Sequence, residues 1–270
     1  MNAPQRKPTP EIGRLLRDYR ATAGMSQLDL ALAAESSARH LSFVETGRAK
    51  PSPALLARIA EALDLPLRDR NALLLAAGFA PRYPERTLDD AGFDVVRRAL
   101  DHLLRAQVPY PALVINAQWD LYMANAPATA LIDSLGMNDL PGPGAPNLAR
   151  MLLHPDGLRH AMVDWEHAAR IVIRRARNEQ LHRPNEGRRR LLEEIATYPG
   201  MPTDLYDDED EGDPLPVLTV TFERDGVRSS WFTMITTFGT PQDVTLQELS
   251  IETFFPADDA TEAAVRAAAG

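Results

Sequence analysis

The run SQLDLALAAESSARHLSFVETGRAKPS, residues 26–52, constrains the fold more than any other part of the chain, because it fixes two short helices and the connection between them. Ser26 is a helix N-cap, and the apolar side of the helix it starts runs through Leu28, Leu30, Ala31 and Ala34. Glu35-Ser36 breaks that run, and Ser37 is a second N-cap. In the next helix, over 38–45, Leu41 and Val44 face inward at i,i+3 spacing. Ala38, Arg39, Ser42 and Phe43 share the other side. Thr46-Gly47 ends the helix, with Gly47 suited to a left-handed C-terminal position. Arg48 and Lys50 follow, and Ser52-Pro53 supplies a cap and a first-turn proline for another helix.

Length and composition bound the remainder. A chain of 270 residues defaults to two domains. Cysteine is absent, which removes disulfides and thiolate chemistry and suits a reducing cytoplasm. The N-terminal MNAPQRKPTP has no apolar signal core, and the longest apolar-looking stretch, 72–80, is too short to span a bilayer. A cytoplasmic protein without a membrane segment is expected. The net charge of −9 divides unevenly. Residues 1–86 hold 13 Lys and Arg against 9 Asp and Glu, a balance of +4, while 87–270 hold 16 against 29, a balance of −13. The half that carries the two capped helices is therefore basic, and the acidic remainder reduces nonspecific adhesion to polyanions.

Periodicity organises the chain further. Residues 11–78 read as five helices, ending at Gly78, and Pro81-Arg-Tyr-Pro84 marks a boundary. Beyond it, 93–104 reads as a helix, 112–116 and 121–125 as short strands joined by a turn at 117–120, and 126–135 as a helix. After the Pro/Gly loop 141–146 come helices over 147–153, 160–177 and 188–196, then an acidic run, 207–213, read as a solvated loop. Period-two patterning then gives strands over 217–223 and 229–238 around an Asp225-Gly226 hairpin turn, a third over 246–255, and a terminal helix over 258–268. Two strands, helices and three more strands suggest an antiparallel sheet of about five strands with helices to one side.

At Gln27, Leu30-Ala31, Ser37, Leu41-Ser42, Val44-Glu45, Gly47 and Pro51-Ser52, the residue types fall in unbroken order and the segment resembles the lambda-repressor/Cro-like helix-turn-helix of XRE type. One departure is Glu35, where many members carry glycine in the turn. The wider chain resembles the MmyB-like regulators: RDRNALLLAAGFAPRY, PALVINAQWDLYMANAPA, NLARMLLHPDGLR, VDWEHAAR, LLEEIATYPG and FGTPQDVTLQELSIETFFPADDAT carry the likeness. That resemblance implies a multidomain protein. An all-α five-helix DNA-binding domain (1–84) and a linker helix (85–108) precede an α+β PAS-like domain (109–270) that holds a small apolar, fatty-acid-like ligand.

A recognition helix reads bases through side chains near its start that point away from its core. Arg39 is the first choice, since a guanidinium binds guanine in a bidentate manner. Ala38 and Phe43 suit thymine methyl groups, and Ser42 and His40 are weaker candidates. By resemblance, Gln27, Thr46, Arg48 and Lys50 contact phosphates, which set register and not sequence, and Arg20 pairs with Glu45 to hold the recognition helix. For the ligand, Trp119, Tyr122, Trp165, Trp231 and Phe232 are the aromatic candidates, although each alone reads more readily as core. His160, Asp164 and His167 share a helix face in this reading, but no further His or Cys completes a metal site, and a polar stripe is favoured. Arg174, Arg175 and Arg177 with Arg188–Arg190 suit an anion, and a solvated helix end is the favoured reading.

The expected partners are a double-stranded DNA operator, a second copy of the chain and an apolar small molecule, with no cofactor. No nucleophile elbow or phosphate loop is present, so no enzyme is expected. The alternative is a DNA-binding regulator whose C-terminal domain only dimerises or binds another protein.

Overall fold

The computed structural model describes residues 11–137, 144–182, 184–202, 217 and 219–269, which leaves the expected acidic loop 207–213 and residues 141–143 outside the described residues. The chain divides into two units, Met1–Arg86 with Thr240–Gln247, and Thr87–Gly239 with Glu248–Gly270.

Serine caps set the helices of the first unit: α1 (Glu11–Thr22), α2 (Gln27–Ala33), α3 (Ala38–Glu45), α4 (Pro53–Ala62) and α5 (Leu67–Ala76). Ser26 Oγ accepts from the Asp29 N–H at 3.1 Å while Asp29 accepts from the Ser26 N–H at 3.0 Å, a reciprocal capping box. Ser37 Oγ and Ser52 Oγ accept from the N–H groups of His40 and Leu55. Leu16, Leu30, Leu41, Leu56, Ile59 and Leu73 fill the core between the five helices. Leu28, expected on the apolar side of α2, is 58% exposed. At 3.6 residues per turn it lies roughly 110° around the helix from the centre of the Leu30, Ala31 and Ala34 side.

Unlike α2, α3 and α4, helix α5 begins at Pro66 without a side-chain cap. Its first N–H, on Leu67, donates instead to Gln247 Oε1 at 2.6 Å. In the same segment Val244 is buried, and its N–H donates to Pro84 O at 2.9 Å. The first helical unit thus contains eight residues drawn from near the other end of the chain, Thr240–Gln247.

The second unit is built on five strands. After α6 (Asp94–Ala106) come β1 (Ala112–Ile115), β2 (Leu121–Ala124), α7 (Ala126–Ser134), α8 (Leu148–Leu153), α9 (Trp165–His182) and α10 (Glu186–Ile195). Then follow β3 (Thr219–Arg224), β4 (Val227–Thr237), α11 (Val244–Glu248), β5 (Ser250–Pro256) and α12 (Asp259–Ala269). The sheet order is β2-β1-β5-β4-β3, with every pair antiparallel. Asp225 and Gly226 both take positive φ, the geometry of a two-residue hairpin turn, between β3 and β4. β1 is buried along all four residues, so both its faces are covered.

The long helix expected over 160–177 starts later, at Trp165, because Leu158–Ala161 forms a separate 3-10 turn. His160 therefore does not share a helix face with His167. Its ring nitrogens face Gly157 O at 2.7 Å and Leu135 O at 3.2 Å. Asp164 accepts from the His167 backbone N–H at the start of α9.

Candidate DNA-reading helix and ligand cavity

Three contacts fix α3. Leu41 and Val44 pack into the core, and Gly13 lets α1 approach so closely that a Cβ there would lie 2.3 Å from Glu45 O. The Glu45 side chain, 1% exposed, accepts from Arg20 Nε at 2.7 Å, Arg20 Nη2 at 3.2 Å and Gln27 Nε2 at 2.7 Å. Arg17 adds its charge at 3.8 Å. Burial pushes the Glu45 carboxyl up, but the hydrogen bonds from Arg20 and Gln27 and the two arginine charges more than offset it and hold its pKa below the ordinary range. The Arg20–Glu45 contact expected between α1 and α3 is present in this geometry. Gln27 turns its amide to Glu45.

The C-terminal end of α3 follows from Gly47. At φ 73° it lets the Gly47 N–H reach Val44 O at 3.0 Å and the Arg48 N–H reach Phe43 O at 2.7 Å, which closes the last turn and sends the basic segment outward. Between α2 and α3, Glu35 takes φ 49°, a conformation that glycine occupies without strain. Arg39, His40, Thr46, Arg48 and Lys50 are exposed, Ser42 and Phe43 are partly buried, and Ala38 packs partly on the core. The Arg39 and Arg48 guanidiniums lie 5.4 and 5.9 Å from the Phe43 ring centroid, so both cations gather over one aromatic ring. Thr46 Oγ1 donates to Ser42 O, and Lys50 Nζ lies 5.1 Å over Phe79.

In the second unit a cavity of about 480 Å3 lies between α9 and the face of the sheet that carries Phe222, Trp231, Thr233, Glu252 and Phe254. Leu148, Leu152, Ile171 and Val172 complete its apolar wall. Of the aromatic candidates, Trp119, Trp231 and Phe232 line it. Phe232 also stacks on Phe255 at 5.6 Å. Tyr122 lies outside the lining and is exposed, and Trp165, also outside it, packs partly buried against the core beneath the Arg159 guanidinium at 3.3 Å.

One end of the cavity is charged, and it joins the aromatic candidate Trp119 to Arg175 and Arg188 of the basic set through two glutamates that the sequence reading did not single out. Arg175 pairs with Glu179 at 3.0 Å and with Glu252, and its guanidinium covers the Trp119 ring at 4.4 Å. Glu179 also accepts from Trp119 Nε1 at 3.0 Å and pairs with Arg188 at 3.3 Å. The solvated-helix-end reading therefore fails for buried Arg188 and for partly buried Arg175, which is tied to Glu179 and Glu252, and holds for exposed Arg189 and Arg190, which pair with Glu186. Burial pushes the Glu252 carboxyl up and outweighs the opposing effect of Arg175. The available signal was Glu252 itself, the single charge within the strand SIETFFP. Trp119 holds φ 65° in the β1–β2 turn, where Asn116 Oδ1 accepts from the N–H groups of Gln118 and Asp120.

A capped two-helix motif over a buried Glu45 tie defines a helix-turn-helix protein, and a helix-turn-helix domain family matches residues 11–73. The MmyB-like transcription regulator ligand binding domain matches residues 96–268, and the chain belongs to that family of DNA-binding regulators. Among solved structures, the restriction-modification controller protein C.AhdI from Aeromonas hydrophila is 30% identical, over 23% of this chain and 92% of that one, with a TM-score of 0.22. The clp gene regulator ClgR from C. glutamicum is 34% identical, over 25% of this chain and 84% of that one, with a TM-score of 0.23. No curated protein matches the sequence.

Proposed function

We propose that the protein is a cytoplasmic, homodimeric regulator that reads an operator through α3 and senses a small, largely apolar molecule in a PAS-like C-terminal domain. The observation that carries the reading of DNA is the division of α3: Leu41, Val44 and Glu45 are locked inward, while Arg39, Ser42 and Phe43 remain on its outer side next to Arg48 and Lys50. Arg39 and Phe43 are assigned to base edges, with Ala38, His40 and Ser42 beside them. Gln27, Thr46, Arg48 and Lys50 are assigned to phosphates. For Gln27 this requires the bond to Glu45 to be shared or exchanged on binding. Two copies would place their α3 helices about one helical turn of DNA apart, ~34 Å, on a palindrome.

The cavity of about 480 Å3 supports the sensor reading, since its size falls within the range of small-molecule sites and its walls are mainly apolar. A ligand there changes DNA affinity only if it binds one conformation of the dimer better than the other. The test is footprinting on the promoter of the protein's own gene, with and without an apolar extract of the host cells. Protection of a palindrome that shifts with the extract supports the reading. Protection that ignores the extract leaves the C-terminal domain as a dimerisation module, and uniform weak binding to all DNA rules out sequence-specific regulation.

A further inference from the structure

We propose that Phe43 is a positioning residue that serves both halves of DNA recognition: its ring holds the Arg39 guanidinium for a base edge and the Arg48 guanidinium for a phosphate. The inference rests on the reading of α3 as the DNA-reading helix and adds what sets its leading side chain.

The first observation is the place of the ring. Phe43 stands one turn after Arg39 on α3, and Arg48 lies in the segment that follows the helix. The two guanidiniums are 5.4 and 5.9 Å from the ring centroid, within the range over which an aromatic face attracts a cation. Phe43 is partly buried, yet it is not among the residues that pack on the helical core, as Phe79 is. Two like charges gathered in one place repel. The negative face of an aromatic ring offsets that repulsion, and an aliphatic side chain of similar size does not.

The second observation is that the ring is what these two arginines have. Among the described residues, no hydrogen bond or ion pair holds either guanidinium. Elsewhere in the same unit Arg20 is taken by Glu45 and Arg68 by Glu85. An arginine that swings freely loses much rotamer entropy when it binds, and one that already rests on a ring loses less.

The backbone joins the same three residues. Phe43 O accepts from the Arg48 N–H at 2.7 Å and from the Ala49 N–H at 3.1 Å, and Ala49 packs partly on the core. The exit segment is therefore folded onto Phe43 through the main chain as well as through the ring. Lys50 is the contrast within that segment, because it lies over a different ring, Phe79, at 5.1 Å and shares nothing with Arg39. Phe43 alone joins the side chain assigned to a base with one assigned to the DNA backbone.

The test uses the full-length protein, a duplex that the wild type enriches from a random-sequence pool, and a scrambled duplex of equal length. Arg39→Ala first marks the base pair that Arg39 reads. Phe43→Leu, which keeps apolar bulk and deletes the ring, is expected to narrow discrimination at that base pair roughly two- to fivefold, the worth of one cation–π contact. It is expected to weaken the scrambled duplex by a similar factor, and Phe43→Trp to restore both. In double-mutant cycles the first loss vanishes when Arg39 is already alanine, and the second when Arg48 is. Protein labelled with 15N at arginine gives a readout without DNA: the Arg39 and Arg48 Hε protons stand upfield in the ring current and move downfield in Phe43→Leu. Unchanged discrimination at the Arg39 base pair, a loss that Phe43→Trp does not restore, or one that persists without Arg39 overturns the proposal and leaves α3 as the reader. A loss confined to another base pair also overturns it and makes Phe43 a direct base contact. Enrichment of no sequence from the pool overturns the proposal together with the reading of α3.

Discussion

Glu45 shows how one buried carboxylate serves a surface function. It sits at the last turn of α3, and its bonds to Arg20 and Gln27 tie the recognition helix to α1 and α2. Arg20→Ala leaves that carboxylate buried with fewer partners and is expected to destabilise the protein by roughly 3 kcal/mol, as measured by urea unfolding. Because the folded pKa of Glu45 lies below its unfolded value, the folded state binds fewer protons there. Its stabilising contribution is therefore present above about pH 4.3, the ordinary value for Glu, and is lost as pH falls through the folded pKa. A wild-type stability that drops in this acid window more steeply than that of Arg20→Ala bears out the assignment. On the outer side of the same helix, Arg39→Ala should relax discrimination at one operator position by about 1–3 kcal/mol. Lys50→Ala should weaken all sequences alike and make the salt dependence shallower. Equal losses for Arg39→Ala on operator and random DNA would remove Arg39 from base reading. The two sides of α3 were legible because helix spacing alone divides it, whereas the Arg20–Glu45 pair came from the family resemblance. The tie from Arg175 to Glu252 was not, because α9 and β5 lie far apart in the sequence and only the folded chain brings them together.

Among the elements, caps carried the most information. Ser26, Ser37, Ser52 and Gly47 stand where helices start and stop, since each satisfies backbone groups that the helix itself cannot. Where caps are weak the reading drifted: α9 starts at Trp165 and not near 160, because the stretch before it is a 3-10 turn with similar apolar spacing. The turn between α2 and α3 retains strain at Glu35, whose φ of 49° is costly for a residue with a Cβ. Glu35→Gly removes that cost but adds unfolded-state freedom, so a net gain of roughly 0.5 kcal/mol is expected, seen as a higher thermal midpoint. A lower midpoint would mean that the Glu35 side chain contributes something its exposed position does not show. The strands were readable in outline, and β4 runs two residues earlier than its pattern because the Asp225-Gly226 turn is as tight as a hairpin permits.

For the whole molecule, the division of charge and the division into units nearly coincide: the basic stretch 1–86 makes up most of the first unit. The exception is Thr240–Gln247, which a reading confined to local periodicity assigns to a strand start and its approach. Its place is set by a donor elsewhere: Pro66 leaves the Leu67 N–H uncapped, and Gln247 Oε1 answers it. Gln247→Leu should lower the stability of the helical unit by about 1 kcal/mol, the net worth of one such bond. A fragment of residues 1–86 should lose more, since it also lacks Val244, and should show faster amide exchange at the start of α5 than the full chain does. Identical exchange in fragment and full chain would show that the segment adds nothing. Synthesis runs from the N-terminus at about 5–20 residues per second, and early domains begin to fold before later ones exist. For this chain, the helices of the helix-turn-helix unit emerge first, but the Leu67 N–H receives its partner only after Gln247 has left the ribosome. Early release therefore yields a helix-turn-helix unit with an unfinished helix, so its full stabilisation is itself a record that most of the second domain was made.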